Sequence, residues 1–406
     1  MKKVYNSLLI IDGSYLLHRN LRSTELAELE DSQGNKTGGI FGFLRSFSNL
    51  LRFQGYYPVI CWDHGRNKRR LDVFPNYKDD VLDNVEIMIN DLLLENFESN
   101  KQISDEDITN KVLNTLNDDK YIVERLGKIN HGVNDLIMFK THLNENNVKT
   151  TLEIMRENQR KFGKCKDPDN YQDQYMKQRD EIVEICNALS IPSIKIKGEE
   201  GDDLMTILTR LSKKSIIITD DKDLQQLVSE NVENYRPMAD ELVTVESLKN
   251  NKNRLTSRRL AIHKAIIGDT SDEIPGMTKG NDRANCIGDA GAWQFVDIID
   301  KHDENEDLFL TEIKFMPKNN KAIGFINCYE NYKRNMQLVD LSLVEATEEL
   351  KSKIIAEIDL ISSREINLFT VLGKLSSRSI MKLDVQTLMS NIINAKLNLK
   401  IKEEVC

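Results

Sequence analysis

Short apolar runs bounded by polar breaks recur through the chain and predict buried strands. Ser7-Leu-Leu-Ile-Ile, Val59-Ile-Cys-Trp and the β-branched run Ser215–Thr219 read as fully buried, and Ser193–Lys197 alternates. Between them apolar residues return at helical spacing, from Gly38 to Phe53 with Thr37 as N-cap, from Tyr171 to Ser190, and beyond Glu200. Strands alternating with helices predict an α/β fold with a mostly parallel central sheet. Val232–Arg236 and Leu242–Val245 read as further strands and Arg258–Ile267 as a helix closed by Gly268. A helix opens at Ile287, and the remainder is mainly helical, clearest at Tyr329–Leu341 and Arg378–Lys396.

Residues 79–170 differ in character, being rich in Asn, Asp, Glu and Lys. Helical patterns around Val85–Phe97 and Gly132–Asn144, with no run that must join a sheet, predict a mostly helical insertion. The sequence thus divides into a core at 1–255 carrying this insertion, an element at 256–300, and a helical C-terminal region at 301–406.

Each buried run ends in acid. Asp12 follows the first and Asp63 the second; the run at Ser193 leads through Gly198 to Glu199, Glu200, Asp202 and Asp203; the run at Ser215 stops at Asp220, Asp221 and Asp223. In an open parallel sheet the carboxyl ends of the strands share one rim, where ligands bind. Like charges gathered there are costly unless protons or cations neutralise them. Hard divalent cations suit such oxygen donors. Acids at strand ends and helix starts are also ordinary N-caps and dipole partners, and for any single residue that reading stands beside the first.

The chain has 406 residues, 40% of them hydrophobic, and a formal net charge of −9, the balance of a globular protein of two or three domains. A mildly acidic total does not exclude nucleic acid, because binding depends on local basic patches. Arg66, Lys68, Arg69, Arg70 and Lys78 form such a patch directly after Asp63, with Phe74 and Tyr77 among them. Cations with interleaved rings suit a single strand, the cations for phosphate and the rings for bases. Arg19 and Arg22 are candidate phosphate contacts at the end of a short helix that Ser14 is placed to cap, and His18 beside them reads as a surface residue. Downstream, Gly268-Asp-Thr-Ser-Asp-Glu-Ile-Pro-Gly places Asp269 and Asp272 before Gly276, and Gly288 precedes another helix. Two helices joined by a Gly-rich turn can present backbone N–H groups to phosphate, while turn chemistry is the plain reading of the two acids. Six cysteines without C-x-x-C spacing suggest neither zinc nor disulfides. With no signal-peptide or membrane-length run, a cytoplasmic protein is expected.

Taken together, LLIIDGS, TGGIFGFLR, VICWDHG with NYK, GEEGDD, ITDDKDLQQL and GDTSDEIPG occur in the order found in the flap-endonuclease superfamily of 5′-nucleases. The chain resembles in particular phage 5′ to 3′ exonucleases of the bacteriophage ribonuclease H type. The resemblance implies a PIN-like core, a helical arch at the insertion, and a helix-hairpin-helix (H3TH) element for duplex DNA. It implies that Asp12, Asp63, Glu200, Asp202, Asp203, Asp221, Asp223, Asp269 and Asp272 match acids around two Mg2+ or Mn2+ ions. Asp220 stands where members often have Gly. Lys78 matches the arch lysine that contacts the scissile phosphate and Tyr77 the aromatic beside it, so Lys78, Asp12 and Asp221 are the expected catalytic set. Lys78 is followed here by Asp79-Asp80, and Arg160, Lys161 or Lys164 are placed to supply further positive charge.

The implied reaction is divalent-metal-dependent phosphodiester hydrolysis at 5′ ends or flaps of DNA or of RNA-DNA hybrid, serving RNA-primer removal in replication. A K+ ion at the hairpin, a single-strand-binding protein or sliding clamp as partner, a monomeric state, no membrane, and a host cytoplasm if viral complete the expectation. A non-catalytic junction-binding protein of the same fold and a PIN-type single-stranded ribonuclease are the alternatives.

Overall fold

The computed structural model describes residues 4–75, 77–78, 171–269, 272, 274–277, 287–316, 320–380, 382–397 and 399, with positions 104, 106 and 110. The helices expected at 85–97 and 132–144, and Arg160, Lys161 and Lys164, lie outside them. The strands are β1 (Tyr5–Asp12), β2 (Tyr57–Cys61), β3 (Ser193–Ile194), β4 (Ser212–Ile218), β5 (Val232–Arg236) and β6 (Glu241–Val243). The helices before the second half are α1 (Gly13–Leu21), α2 (Gly38–Leu50), α3 (Lys68–Val73), α4 (Tyr171–Ala188) and α5 (Gly201–Leu211). They continue with α6 (Val245–Lys249), α7 (Ser257–Ile267), α8 (Asp289–Lys301), α9 (Glu306–Phe315) and α10 (Asn320–Asn327). Last come α11 (Tyr329–Val339), α12 (Glu348–Ser362), α13 (Leu368–Ser377) and α14 (Val385–Lys396). Among the described residues no helix is long and apolar enough to cross a membrane.

The chain divides into two compact units, one of residues 1–67, 170–261 and 340–406, the other of residues 68–169 and 262–339. Residues 301–406, read from the sequence as one region, are therefore divided between both.

The first unit holds the sheet, in the order β3-β2-β1-β4-β5-β6, parallel throughout except for the antiparallel β5–β6 pair. Alternation along β1 builds two cores. Leu9 and Ile11 join Leu16, Phe43, Phe47, Ile182, Leu388 and Ile392 on one face, so α1, α2, α4 and α14 cover it. Leu8 and Ile10 join Leu204, Leu208, Ile354 and Ile358 on the other, under α5 and α12. Each such side chain, fully buried, contributes about 1.5–3 kcal/mol. The edge strand expected at Ser193–Lys197 shortens to two residues, and Gly198 (φ +84°) then turns the chain toward α5.

The helix expected over Arg378–Lys396 begins instead at Val385. Arg378 is the C-cap of α13, Ser379 takes φ +57°, and Asp384 caps α14 by accepting from Thr387 N at 3.0 Å. Thr37 does precede α2, but its hydroxyl makes no capping bond.

The second unit is helical. Phe295 of α8 stacks on Phe325 of α10 with centroids 4.8 Å apart. Buried Asn335 of α11 donates from Nδ2 to Ala265 O (2.9 Å) and Pro275 O (2.8 Å), tying the end of α7 to the turn that follows it. That turn needs its glycines. Gly268 has φ +74°, and a Cβ on Gly276 would lie 2.4 Å from Ile267 O.

Candidate functional site

Strands β2, β1 and β4 lie side by side and parallel, so their carboxyl ends share one edge of the first unit. The register pairs Asp12 with Cys61 and Ile11 with Ile218. From β1 the order runs outward through β2 to β3, then returns to β4 on the other side of β1. Such a reversal opens a crevice at the strand ends. Asp12 and Thr219 face each other across it, with Thr219 Oγ1 donating to Asp12 Oδ2 at 3.0 Å.

Asp12 also caps α1, its Oδ1 accepting from Tyr15 N at 2.9 Å. Ser14, the expected cap, is buried inside the first turn. Its Oγ accepts from Asp63 N (3.1 Å) and from Tyr175 OH (3.2 Å), fixing the backbone that carries Asp63. The helix starts early because β1 runs straight into Gly13, where a Cβ would come within 2.6 Å of Ile60 Cγ2. Burial foremost, then the nearby Asp63, and more weakly Asp221, push the Asp12 carboxyl up to about 7. Burial likewise drives the Cys61 thiol up, helped by Asp12 and Asp63.

Asp63 is exposed and lies at the start of α5, where its Oδ1 accepts from Gly201 N at 2.7 Å. A carboxylate there is favoured by the helix dipole. Glu200 occupies the N-cap position of α5 and is buried, its Oε1 accepting from Asn67 N at 2.9 Å. Asp202 and Asp203 follow in the first turn; Asp202 is half-buried and Asp203 fully buried. Beyond β4, Asp221 is exposed, and its Oδ1 accepts from Asp223 N at 2.9 Å. Asp220 has a different setting. It accepts from Tyr15 OH and from Met238 N (2.9 Å), with Arg236 Nε 3.7 Å away, and so braces the β5–β6 turn.

His18 is not a surface residue. Its ring stacks on Tyr175 (4.3 Å between centroids) and Tyr171 (5.7 Å), and Nδ1 bonds Tyr171 OH. Burial foremost and then Arg22 hold its pKa below the usual imidazole value. Tyr171 and Tyr175 stand one helical turn apart on α4, and that spacing is the sequence signal for the stack. Arg19 is exposed, and the Arg22 guanidinium lies 5.9 Å from the Tyr171 centroid.

The donor set is all carboxylate oxygen, which suits hard divalent ions. Among the described residues, no three His, Cys, Asp or Glu side chains stand close enough to hold one ion unaided. Mg2+ is commonly held by one or two carboxylates, waters and substrate phosphates, so acids strung along an edge fit it better than they fit an ion needing a closed cage.

In the basic stretch after β2, Arg66 is half-buried and Lys68 exposed. The other expected nucleic-acid contacts, in the second unit, are partly consumed by packing. Arg69 and Arg70 donate to the backbone oxygens of Gln337 and Leu338. Arg70 and Tyr77 are buried, the guanidinium 5.6 Å from the ring centroid, so this ring is not open to a base. Lys78 is exposed, with Nζ 3.6 Å from Asp272 Oδ1; Tyr77 OH donates to Asp272 Oδ2 at 3.3 Å. Asp269 pairs with Lys264 at 2.5 Å. Both acids expected as metal ligands here thus face a lysine of their own unit. Gly276 packs against Ile267, whereas Gly288, the N-cap of α8, has open space where a Cβ would stand.

The sequence family described as the 5′-3′ exonuclease N-terminal resolvase-like domain matches residues 7–94 and 155–254. DNA polymerase I of Caldicellulosiruptor bescii is 30% identical over 229 residues, covering 53% of this chain and 24% of that one. The 5′-3′ exonuclease of Aquifex aeolicus is 30% identical over 179 residues, covering 42% of this chain and 57% of that one. The chain thus spans between a quarter and just over half the length of these curated relatives. The bacteriophage T5 flap endonuclease, solved as a pseudo-enzyme-product complex with DNA and metal ions, aligns over 88% of this chain and 100% of its own. Its TM-score is 0.52 at 15% identity. Flap endonuclease-1 from Methanococcus jannaschii aligns over 96% of this chain and 93% of its own, with a TM-score of 0.50 at 13% identity. These likenesses establish the PIN-like α/β fold.

Proposed function

We propose that the chain, which matches the 5′-3′ exonuclease N-terminal resolvase-like domain family over residues 7–94 and 155–254, is a 5′-nuclease of the flap-endonuclease superfamily and hydrolyses phosphodiesters at 5′ ends or flaps of DNA or of RNA-DNA hybrid. The biological task we propose is RNA-primer removal in DNA replication, and the cofactor two Mg2+ or Mn2+ ions. The observation that carries this reading is the edge of the sheet, where Asp12, Asp63, Glu200 and Asp221 follow four parallel strands around a switch point. When bound, the ions would activate water as nucleophile and stabilise the leaving oxygen.

The chain's own part is to hold the acids. Asp12, Asp63, Glu200, Asp202, Asp221 and Asp223 are the proposed metal-holding residues. Thr219 and Tyr15 N orient Asp12; Ser14 and Gly201 N orient Asp63. Asp203, whose Oδ2 accepts from Asn67 Nδ2 at 2.7 Å, is proposed in an orienting role. Asp269, Asp272 and a K+ at the hairpin are left out of the proposal, because Lys264 and Lys78 already balance the two acids. Lys78 is retained as a proposed phosphate contact, and the α7 to α8 segment as a proposed duplex contact through amides near Gly276 and Gly288. Arg19, Arg22, Arg66 and Lys68 remain the proposed cationic contacts to phosphate.

The testing experiment is cleavage of a 5′-labelled flap duplex with Mg2+, beside a chelator control and Asp221→Asn. Short labelled products absent from both controls are expected. A fully active Asp221→Asn protein would sink the assignment. One second reading is kept, a non-catalytic junction-binding protein of the same fold, motivated by the acidic stretch that follows Lys78. Tight structure-selective binding without cleavage would be its outcome.

A further inference from the structure

Asn67 donates every N–H it owns to an acid. Its backbone N–H goes to Glu200 Oε1 at 2.9 Å, and its carboxamide Nδ2 to Asp203 Oδ2 at 2.7 Å and Glu199 Oε2 at 3.0 Å. It lies in the segment that leaves β2, which is laced to the approach to α5. His64 N donates to Glu199 O (3.1 Å), Gly198 N to His64 O (2.8 Å), and Gly201 N to Asp63 Oδ1 (2.7 Å).

From this convergence we propose that Asn67 is a positioning residue, setting Glu200 and its neighbours on α5 in the arrangement that takes up a divalent ion. The proposal rests on reading the edge as a metal-dependent nuclease site. The residue type fits the task. Glu199, Glu200 and Asp203 are like charges crowded at one helix start, which repel one another, and Asn67 is a partner that all three share. A lysine in that place would pair with them and compete with the incoming cation. A carboxamide supplies hydrogen bonds while leaving the anionic charge intact. Asp203, buried with its Oδ2 on Asn67, then acts as the anchor that fixes the carboxamide, and Glu200 as the group being aimed. Groups that orient metal-holding side chains without touching the ion typically cost about 10–100-fold in metal affinity when removed.

The test measures Mn2+ affinity by titration calorimetry, without nucleic acid, for wild type and Asn67→Ala, with urea unfolding in chelator as the folding control. About 10–100-fold weaker Mn2+ binding by a folded variant is expected. A folded Asn67→Ala protein with an affinity within about twofold of wild type would overturn the role of Asn67 and leave the nuclease reading standing. Wild type that takes up no Mn2+ either alone or with an added flap duplex would overturn both. Should the variant fail to fold, the wild-type protein still decides: the Asn67 carboxamide protons should shift in NMR spectra as Mg2+ is added. Unmoved resonances at saturating Mg2+ would refute the proposal.

Discussion

Replacing Asp12 by Asn should abolish cleavage and at the same time make the metal-free protein more stable. Burial, with Asp63 and Asp221 nearby, raises the Asp12 carboxyl from 3.8 to about 7. At 1.36 kcal/mol per unit, that shift corresponds to a ceiling of roughly 4 kcal/mol. Its sign follows from linkage. The folded state holds this proton more tightly than the unfolded state, so the stability it contributes is complete below about pH 4 and is lost as pH rises through about 7. Asn carries no charge to lose, and the local bonds survive the change. Its carbonyl can still accept from Tyr15 N and its amide can donate to Thr219 Oγ1, and Asn caps helices as well as Asp does. The assay is urea unfolding in chelator at about pH 5 and pH 8. Wild type should lose about 2–3 kcal/mol more than Asp12→Asn across that interval. Mn2+ should restore stability to wild type at the higher pH and do much less for the variant. Parallel pH profiles for the two proteins, or an Asn variant less stable than wild type at pH 8, would refute this account of the site's electrostatics.

Three further outcomes are expected. Asn335→Ala leaves the oxygens of Ala265 and Pro275 without their buried donor, which at about 1–3 kcal/mol each should cost roughly 2–6 kcal/mol in urea unfolding of the second unit. Gly268→Ala must be strained, because φ is +74° and its Cβ would meet Gly276 N and Ile274 O at 2.4 Å; weakened binding to duplex DNA, read by anisotropy, should accompany the loss of stability. Lys78→Ala should slow single-turnover cleavage by at least about tenfold while duplex affinity changes little, and unchanged single-turnover kinetics would remove Lys78 from the mechanism.

Much of the sheet and its acidic edge was legible in the sequence. Buried strands declare themselves by unbroken β-branched runs, and an acid directly after such a run must lie at the carboxyl edge. The roles of particular side chains were harder to see, because they depend on partners far along the chain. Ser14 reads as a cap until Tyr175, 161 positions on, is seen to donate to it. Asp220 reads as one of an acid cluster until Tyr15 and Met238 claim it. Arg70 and Tyr77 have the composition of a nucleic-acid patch, and only their packing against each other and the Leu338 oxygen separates them from Lys68 and Lys78. Asn67 gave no signal in one dimension, since a polar residue in a basic loop is unremarked there. Apolar spacing continues from Arg378 and predicts a helix there, whereas Ser379 and Asp384 break the backbone path and α14 starts at Val385.

The discontinuous make-up of the sheet unit bears on how the protein is synthesised. Asn6 N of β1 bonds Leu399 O, and Tyr5 OH reaches Asp359 at 3.4 Å, while Leu388 and Ile392 complete the core beneath β1 and β2. At roughly 5–20 residues per second, β1 leaves the ribosome about twenty to eighty seconds before the last of these partners. The helices of the second unit, by contrast, are complete once residue 339 has emerged. Throughout that interval the apolar strands β1 and β2 stay incompletely covered, the kind of surface on which nascent-chain chaperones act. A ribosome stalled once residue 340 has cleared its exit should therefore carry protease-resistant helices within 262–339 and a protease-sensitive β1.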